Sequence, residues 1–245
     1  MRLAKHHHVN WGLRVATGVM LSGIVAVSGY RLKVLTVSGG WAALLVGTAL
    51  FVGGGWTWLV LVGTFSATSS FLTRWDPPGT TAPRSADATG RHWDQVVANG
   101  GIAGLAAVIH GFSGWPHAFA VAAGAIAAGT ADTWATEVGR WTSDEPRMIT
   151  TWCPVPSGTS GGITMAGTLG GVAGALMIGG LAGILIHNLP ARSVFLTVLG
   201  AGISGMMLDS LLGATVEGRM RWVNNSMVNL LATAWGAGVV LALFR

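Results

Sequence analysis

Two acids, Asp132 and Asp209, lie inside otherwise apolar runs of this 245-residue chain. A charged side chain at the centre of a membrane span costs about 2.5–3.5 kcal/mol on insertion scales, so such residues mark function by default. Asp209, Gly213 and Glu217 recur every four residues and share one helix face, with Ser210 adjacent. Asp132 shares a face with Thr136, while Thr133 and Glu137 share the next one. Glu137 stands about 140° around an ideal helix from Asp132, so both reach one ligand only if it lies between their directions. Carboxylates gathered at one membrane face with asparagines and hydroxyls suit Mg²⁺, which takes oxygen ligands and keeps waters alongside substrate phosphates. The competing reading of the same acids is pairing with Arg140, Arg147, Arg219 and Arg221 at helix ends.

Between these two acids the sequence PSGTSGG, residues 156–162, precedes an apolar run. Glycines let backbone N–H groups converge, and a following helix adds the positive end of its dipole, so the turn can cradle phosphate oxygens. It lacks the Gly-Lys-Ser/Thr ending of a Walker loop. Arg147 offers the bidentate contact that phosphates favour. Asn225 and Asn229 lie one turn apart, with Asn224 placed to cap their helix. Gln95 and Asn99 repeat that spacing. Capping and interhelix hydrogen bonding remain open for these amides beside ligand binding.

The elements that must position these residues are apolar segments. Eight are expected, at about 9–30, 41–52, 56–73, 96–111, 117–138, 163–186, 193–216 and 227–244. Arg14 is placed to snorkel near the start of the first, and His6, His7 and His8 read as an exposed polar end. Gly53, Gly54 and Gly55 divide the second and third segments, which reads as a tight helical hairpin, with a broken or re-entrant helix as the alternative. The stretches 74–94 and 140–160 are polar loops.

With alternating spans, nine of the fourteen basic residues fall on one side of the bilayer: Arg31, Lys33, Arg74, Arg84, Arg91, Arg140, Arg147, Arg219 and Arg221. Arg2, Lys5, Arg192 and Arg245 fall on the other. The positive-inside rule makes the richer side cytoplasmic and puts both termini outside. The acids are more polarised still. Asp76, Asp87, Asp94, Asp132, Glu137, Asp144, Glu145, Asp209 and Glu217 are all nine, and each lies in or beside a connection on the basic side. One cytoplasmic polar layer is therefore expected to hold the chemistry.

Composition excludes a soluble domain, since 51% of residues are hydrophobic, 9% are charged and the mean hydropathy is +0.58. Thirty-eight glycines serve as packing surface, because small residues let membrane helices approach closely. The lone cysteine, Cys153, excludes an internal disulfide and a multi-cysteine metal site. The net charge of +5 fits anionic head groups or phosphorylated ligands, and equally a topology signal. One all-α domain over 1–245 is expected, a polytopic membrane bundle of about eight transmembrane or re-entrant helices with a polar site layer at the cytoplasmic face.

SATSSFLTR at 66–74, QVVANGG at 95–101, ADTWATEVG at 131–139, PR at 146–147, VPSGTSGGIT at 155–164, LDSLLGATVE at 208–217 and NNSMVN at 224–229 occur in that order. Together they resemble the phytyl-phosphate kinase family, over nearly the whole chain from about Arg31. The family is distantly similar to the CTP-using phytol and dolichol kinases and CDP-diacylglycerol synthases. Its usual proline-glycine before GTSGG is Pro156–Ser157 here.

The resemblance implies a Mg²⁺-dependent membrane kinase that moves the terminal phosphate of a nucleotide, CTP by preference, to an isoprenoid monophosphate such as phytyl or geranylgeranyl phosphate. On that footing Asp132, Glu137, Asp209 and Glu217 hold metal. Gly158, Thr159, Ser160, Gly161, Gly162, Arg147 and Arg74 hold phosphate, and Asn99, Thr133, Ser210, Asn225 and Asn229 complete the site. The expected partners are an isoprenoid phosphate lipid, a nucleotide and the bilayer, without nucleic acid and with homodimer formation left open. The competing functions are a nucleotidyltransferase that makes a CDP-lipid and a transporter for a cation or phosphorylated solute.

Overall fold

The computed structural model describes residues 11–78, 80, 89–220 and 222–244. Arg2, Lys5, the histidines 6–8, Arg84, Asp87, Arg221 and Arg245 lie outside the described residues. Within them the chain forms eight helices: α1 (Trp11–Arg31), α2 (Val37–Gly54), α3 (Trp56–Arg74), α4 (Trp93–Ser113), α5 (Ala118–Arg140), α6 (Met165–Leu185), α7 (Ala191–Thr215) and α8 (Asn225–Leu243). A two-stranded antiparallel ribbon, β1 (Arg147–Met148) with β2 (Gly162–Ile163), interrupts the loop between α5 and α6 and pairs Arg147 with Ile163. The expected helical membrane bundle is thus the fold.

Six helices are long and apolar enough to cross a membrane: α1, α2, α4, α6, α7 and α8. The other two differ for separate reasons. The hydroxyl run SATSSFLT dilutes α3, whereas α5 is mostly alanine and glycine and ends in the charged residues Asp132, Glu137 and Arg140. Every residue of α5 from Ala118 to Ala131 is buried. That helix is the hub of the bundle, with α3, α4, α6, α7 and α8 all packed on it.

Small side chains make this encasement feasible. A Cβ at Gly124 would lie 2.6 Å from the Gly236 carbonyl oxygen of α8, and one at Gly205 of α7 would lie 2.4 Å from the Ala128 Cβ. Backbones therefore touch where larger residues would hold the helices apart, and close van der Waals packing replaces the hydrophobic drive that lipid removes. Outward faces carry large apolar side chains, such as Leu13, Ile24, Leu45 and Ile184, all exposed. Arg14 lies near the start of α1 with its guanidinium over the Trp11 ring at 5.8 Å.

The Gly53–Gly55 corner is not a packed hairpin. Gly55 alone joins α2 to α3, at φ +81°, and serves as C-cap of one and N-cap of the other. From there the helices part company: α2 packs chiefly on α4 and α1, and α3 on α5. Gly53 explains the first choice, because its missing Cβ lets the Ala107 carbonyl of α4 approach to where that atom would be.

Successive helices run in alternating directions, and the contacts at each end agree. At one end Trp58 stacks on His110 and meets Phe119 edge-on, while Asn188 donates to the Pro116 carbonyl. At the other, Thr36 and Arg91 join the starts of α2 and α4, and Trp75 meets Trp141 at the ends of α3 and α5. That second end gathers the polar residues.

Candidate functional site

A cavity of about 620 Å³ opens at the polar end. Its walls come from the start of α4, the last turns of α5 and α7, the 157–164 loop, and the first turns of α6 and α8. Asn99 and Glu137 are buried at its inner side, whereas Ser157, Gly158 and Ser160 at the rim are exposed. Asp132 precedes the end of α5 by eight residues, roughly 12 Å along the axis. The cavity thus reaches from the polar end well into the helical layer.

Asp132 and Asp209 are hydrogen-bonding neighbours in its lining, and the charge of Glu217 also acts on Asp209. The buried Oδ2 of Asp209 has no hydrogen-bond partner. Carboxylates only accept hydrogen bonds, so the two can bond each other only while the pair holds a proton. Thr133 and Ser210 line the same cavity, as do Asn225 and Asn229. Asn224 caps α8 by accepting from Met227 N at 3.0 Å, so its role is structural. Gln95 is likewise committed, closing a capping box with His92 at the start of α4. Asn99, one turn further on, is the member of that pair that reaches the cavity.

The GTSGG turn faces the acids. Gly158 and Gly161 both hold positive φ, +84° and +79°. The Thr159 amide donates to Pro156 O and the Gly162 amide to Thr159 O. The amides of Gly158, Ser160 and Gly161 make no hydrogen bond among the described residues. Gly213 of α7 lets the turn sit close, since a Cβ there would meet Gly161 N at 3.0 Å. Thr164 then caps α6 by accepting from Gly167 N. The result is a short peptide arc with unspent amides leading into a helix N-terminus, beside paired carboxylates.

Two expected phosphate contacts lie elsewhere. Arg147 is exposed and donates from Nη1 to the Trp152 carbonyl at 2.9 Å, so it closes its own loop instead of lining the cavity. Arg74 donates to the Leu32 carbonyl and lines a separate small recess with Ser70, Thr73 and Arg91. It links the α1–α2 connection to the end of α3. Sequence position, close to acids and to a glycine turn, did not reveal that main-chain carbonyls claim both guanidinium groups.

Glu137 is 1% exposed and accepts from Arg140 Nη1 at 2.9 Å, so its carboxylate is tied to a cation of its own helix. Among the described residues, no three His, Cys, Asp or Glu side chains converge as a ready metal cluster. What does fit a metal is the pair Asp132 and Asp209, with its orphaned buried oxygen. Mg²⁺ is commonly held by one or two carboxylates, its other positions going to water and substrate phosphates. Glu217 stands close enough to strengthen the field at Asp209.

The eight acids among the described residues therefore divide. Asp132, Glu137, Asp209 and Glu217 line the cavity. Asp94 accepts from Ser226 Oγ at 2.7 Å and ties α4 to α8, Asp76 pairs with Arg140, and Asp144 and Glu145 are exposed. The residue that sequence reading undervalued is Arg140, placed there only as a neutralising helix-end partner. Its signal was the three-residue spacing from Glu137, which puts both on one helical face.

Residues 20–237 match the model of the family described as integral membrane protein DUF92. The chain belongs to that family. Among its relatives, Protein PGR of Arabidopsis thaliana is 32% identical over 232 residues, covering 83% of this chain and 79% of its own. An uncharacterized membrane protein of Methanocaldococcus jannaschii is 32% identical over 224 residues, covering 91% and 92%. One from Synechocystis is 29% identical over 223 residues, covering 86% and 83%. No solved structure matches the chain. The DUF92 match spans every wall of the cavity, from Asn99 to Asn229.

Proposed function

We propose that this protein is a Mg²⁺-dependent membrane kinase that transfers the terminal phosphate of a nucleotide, CTP by preference, to an isoprenoid monophosphate. The observation that carries the reading is one cavity in which paired carboxylates, Asp132 and Asp209, face a glycine turn with unspent amides at a helix N-terminus. Phosphoryl transfer asks a protein for positioning and charge neutralisation more than for covalent chemistry, and these are the two things the walls offer.

Asp132 and Asp209 would hold the metal, which when bound neutralises phosphate charge. The turn 158–162 orients the phosphate chain through its amides, and Asn99, Asn225 and Asn229 supply neutral hydrogen bonds around it. The bond between the terminal phosphorus and its bridging oxygen breaks, a bond from an acceptor phosphate oxygen forms, and the nucleotide leaves as its diphosphate. The acceptor oxygen is already ionised near neutral pH, so no strong general base is required. The positive-inside count supports a cytoplasmic site, where nucleotide is supplied.

The test is direct. Purified protein in detergent with Mg²⁺, CTP and geranylgeranyl or phytyl monophosphate is expected to yield CDP and the isoprenoid diphosphate, and Asp132→Asn to abolish both products. Release of pyrophosphate with a CDP-lipid reassigns the site to nucleotidyl transfer. Folded protein inert with every nucleotide and acceptor, yet moving solute in proteoliposomes, overturns the enzyme reading.

A further inference from the structure

Four carboxylates line the cavity, and among the described lining residues Arg140 is the single cation. It is 8% exposed, at the last residue of α5. Nη1 donates to Glu137 Oε2 at 2.9 Å and Nη2 to Asp76 Oδ1 at 3.2 Å. These two partners are not equivalent. The Glu137 side chain is 2% exposed and lies one turn back on the same helix, so removing its cation would strand a buried carboxylate. The Asp76 side chain is 24% exposed, lies beyond the end of α3, and is not part of the cavity lining. Loosening it returns a carboxylate to water at little cost.

Arg140 therefore stands between the cavity and an acid behind it. A guanidinium offers a planar fork of donors suited to phosphate oxygens, and Arg140 is among the cavity-lining residues where Arg147 and Arg74 are not. With so many acids lining the walls, a polyanion entering without a cationic contact of the protein's own meets net repulsion.

We infer that Arg140 is the phosphate-contacting cation of the cavity and that Asp76 competes with the ligand for its charge. The inference rests on the phosphate-binding reading of the site and deepens it. Its ligand is a phosphoryl group, borne either by the nucleotide or by the acceptor lipid. Glu137 is a positioning residue, holding the guanidinium at the cavity wall whether or not ligand is present.

The consequence has a sign that a purely structural ion pair would not give. Asp76→Asn removes the competing charge and is expected to tighten phosphate binding by about two- to fivefold, the scale of a partly exposed ion pair. Arg140→Gln is expected to weaken it by about 10- to 100-fold, as for loss of a charge-assisted hydrogen bond. Arg140→Lys keeps the charge, loses the fork and is expected to fall between wild type and Arg140→Gln.

Binding is measured by calorimetry on the full-length protein in detergent with Mg²⁺, using pyrophosphate, CTP and geranylgeranyl monophosphate as separate probes, with folding checked by gel filtration and melting. Effects confined to CTP and pyrophosphate assign the contact to the nucleotide, and effects confined to the lipid phosphate assign it to the acceptor. If Arg140→Gln fails to fold, Asp76→Asn carries the test alone. Wild type that binds these phosphates while Asp76→Asn binds them equally or more weakly overturns this inference and leaves the kinase reading standing. Wild type that binds none of the three overturns both.

Discussion

Asp132 of α5 and Asp209 of α7 bring their carboxyl groups within hydrogen-bonding reach of each other, with Asp209 Oδ2 buried and lacking a partner. Two carboxylates so placed repel, and a divalent cation between them relieves the repulsion. Asp209→Asn should then stabilise the metal-free protein while removing its response to metal. The expected rise in thermal midpoint is about 2–4 °C, corresponding to about 1 kcal/mol in a chain of this size. Melting curves with and without Mg²⁺ check this. A variant that keeps the full wild-type Mg²⁺ shift would show that Asp209 does not hold the ion.

Activity should follow the same pair. Asp132→Asn and Asp209→Asn are each expected to lower turnover by about 100-fold or more, the scale seen when a preorganised electrostatic contact is lost. Arg147→Ala and Arg74→Ala, whose side chains bond to loop carbonyls outside the cavity, should stay within about threefold of wild type, as surface changes usually do. A collapse of turnover in Arg147→Ala with an unchanged melting curve would restore it to the site.

The 158–162 turn offers a matched comparison of glycines. Gly158 and Gly161 both hold positive φ, so alanine at either costs about 1–2 kcal/mol of backbone strain. Only at Gly161 does a new Cβ collide, at 2.5 Å from Ala214 Cβ and 2.6 Å from Ala214 N, while Gly158 has open space. Gly161→Ala should therefore push the turn off α7 and cost a further 1–3 kcal/mol or so, the usual penalty of overpacking. Melting temperatures and turnover of the two variants should separate clearly, with Gly161→Ala the worse in both.

Helix packing makes a comparable forecast away from the site. Gly124→Ala drives a Cβ to 2.5 Å from Val240 Cγ2 and 2.6 Å from the Gly236 carbonyl oxygen, whereas Gly238→Ala meets nothing within 4 Å. The first should destabilise the α5–α8 contact by about 1–3 kcal/mol, and the second should be nearly neutral. Thermal unfolding in detergent distinguishes them. Equal effects would mean that α5 and α8 do not pack as described.

What the sequence by itself determined is the membrane class, the helix count and the polar end. Each follows from one-dimensional patterns: runs of apolar residues about a bilayer thick, glycines in place of bulky packing, and acids confined to alternate connections. Helix ends such as Asn224 were legible because a cap is a local bond between near neighbours. Asp132, Asp209 and the 158–162 turn stood out in the sequence too, through the cost of burying charge and the backbone freedom of glycine.

Only the tertiary structure decided which of these residues share a cavity. Asp132 and Asp209 are separated by a whole helix, α6, and meet because α7 packs back onto α5. Gly53 turns α2 onto α4 through one close backbone contact, which a glycine triplet in sequence does not specify. The arginines show the limit most plainly. Arg74, Arg140 and Arg147 carry the same charge and all sit near acids in the chain, yet two reach main-chain carbonyls and one reaches the cavity wall. A long side chain finds its partner through space, and that partner is fixed only when the backbone around it is in place.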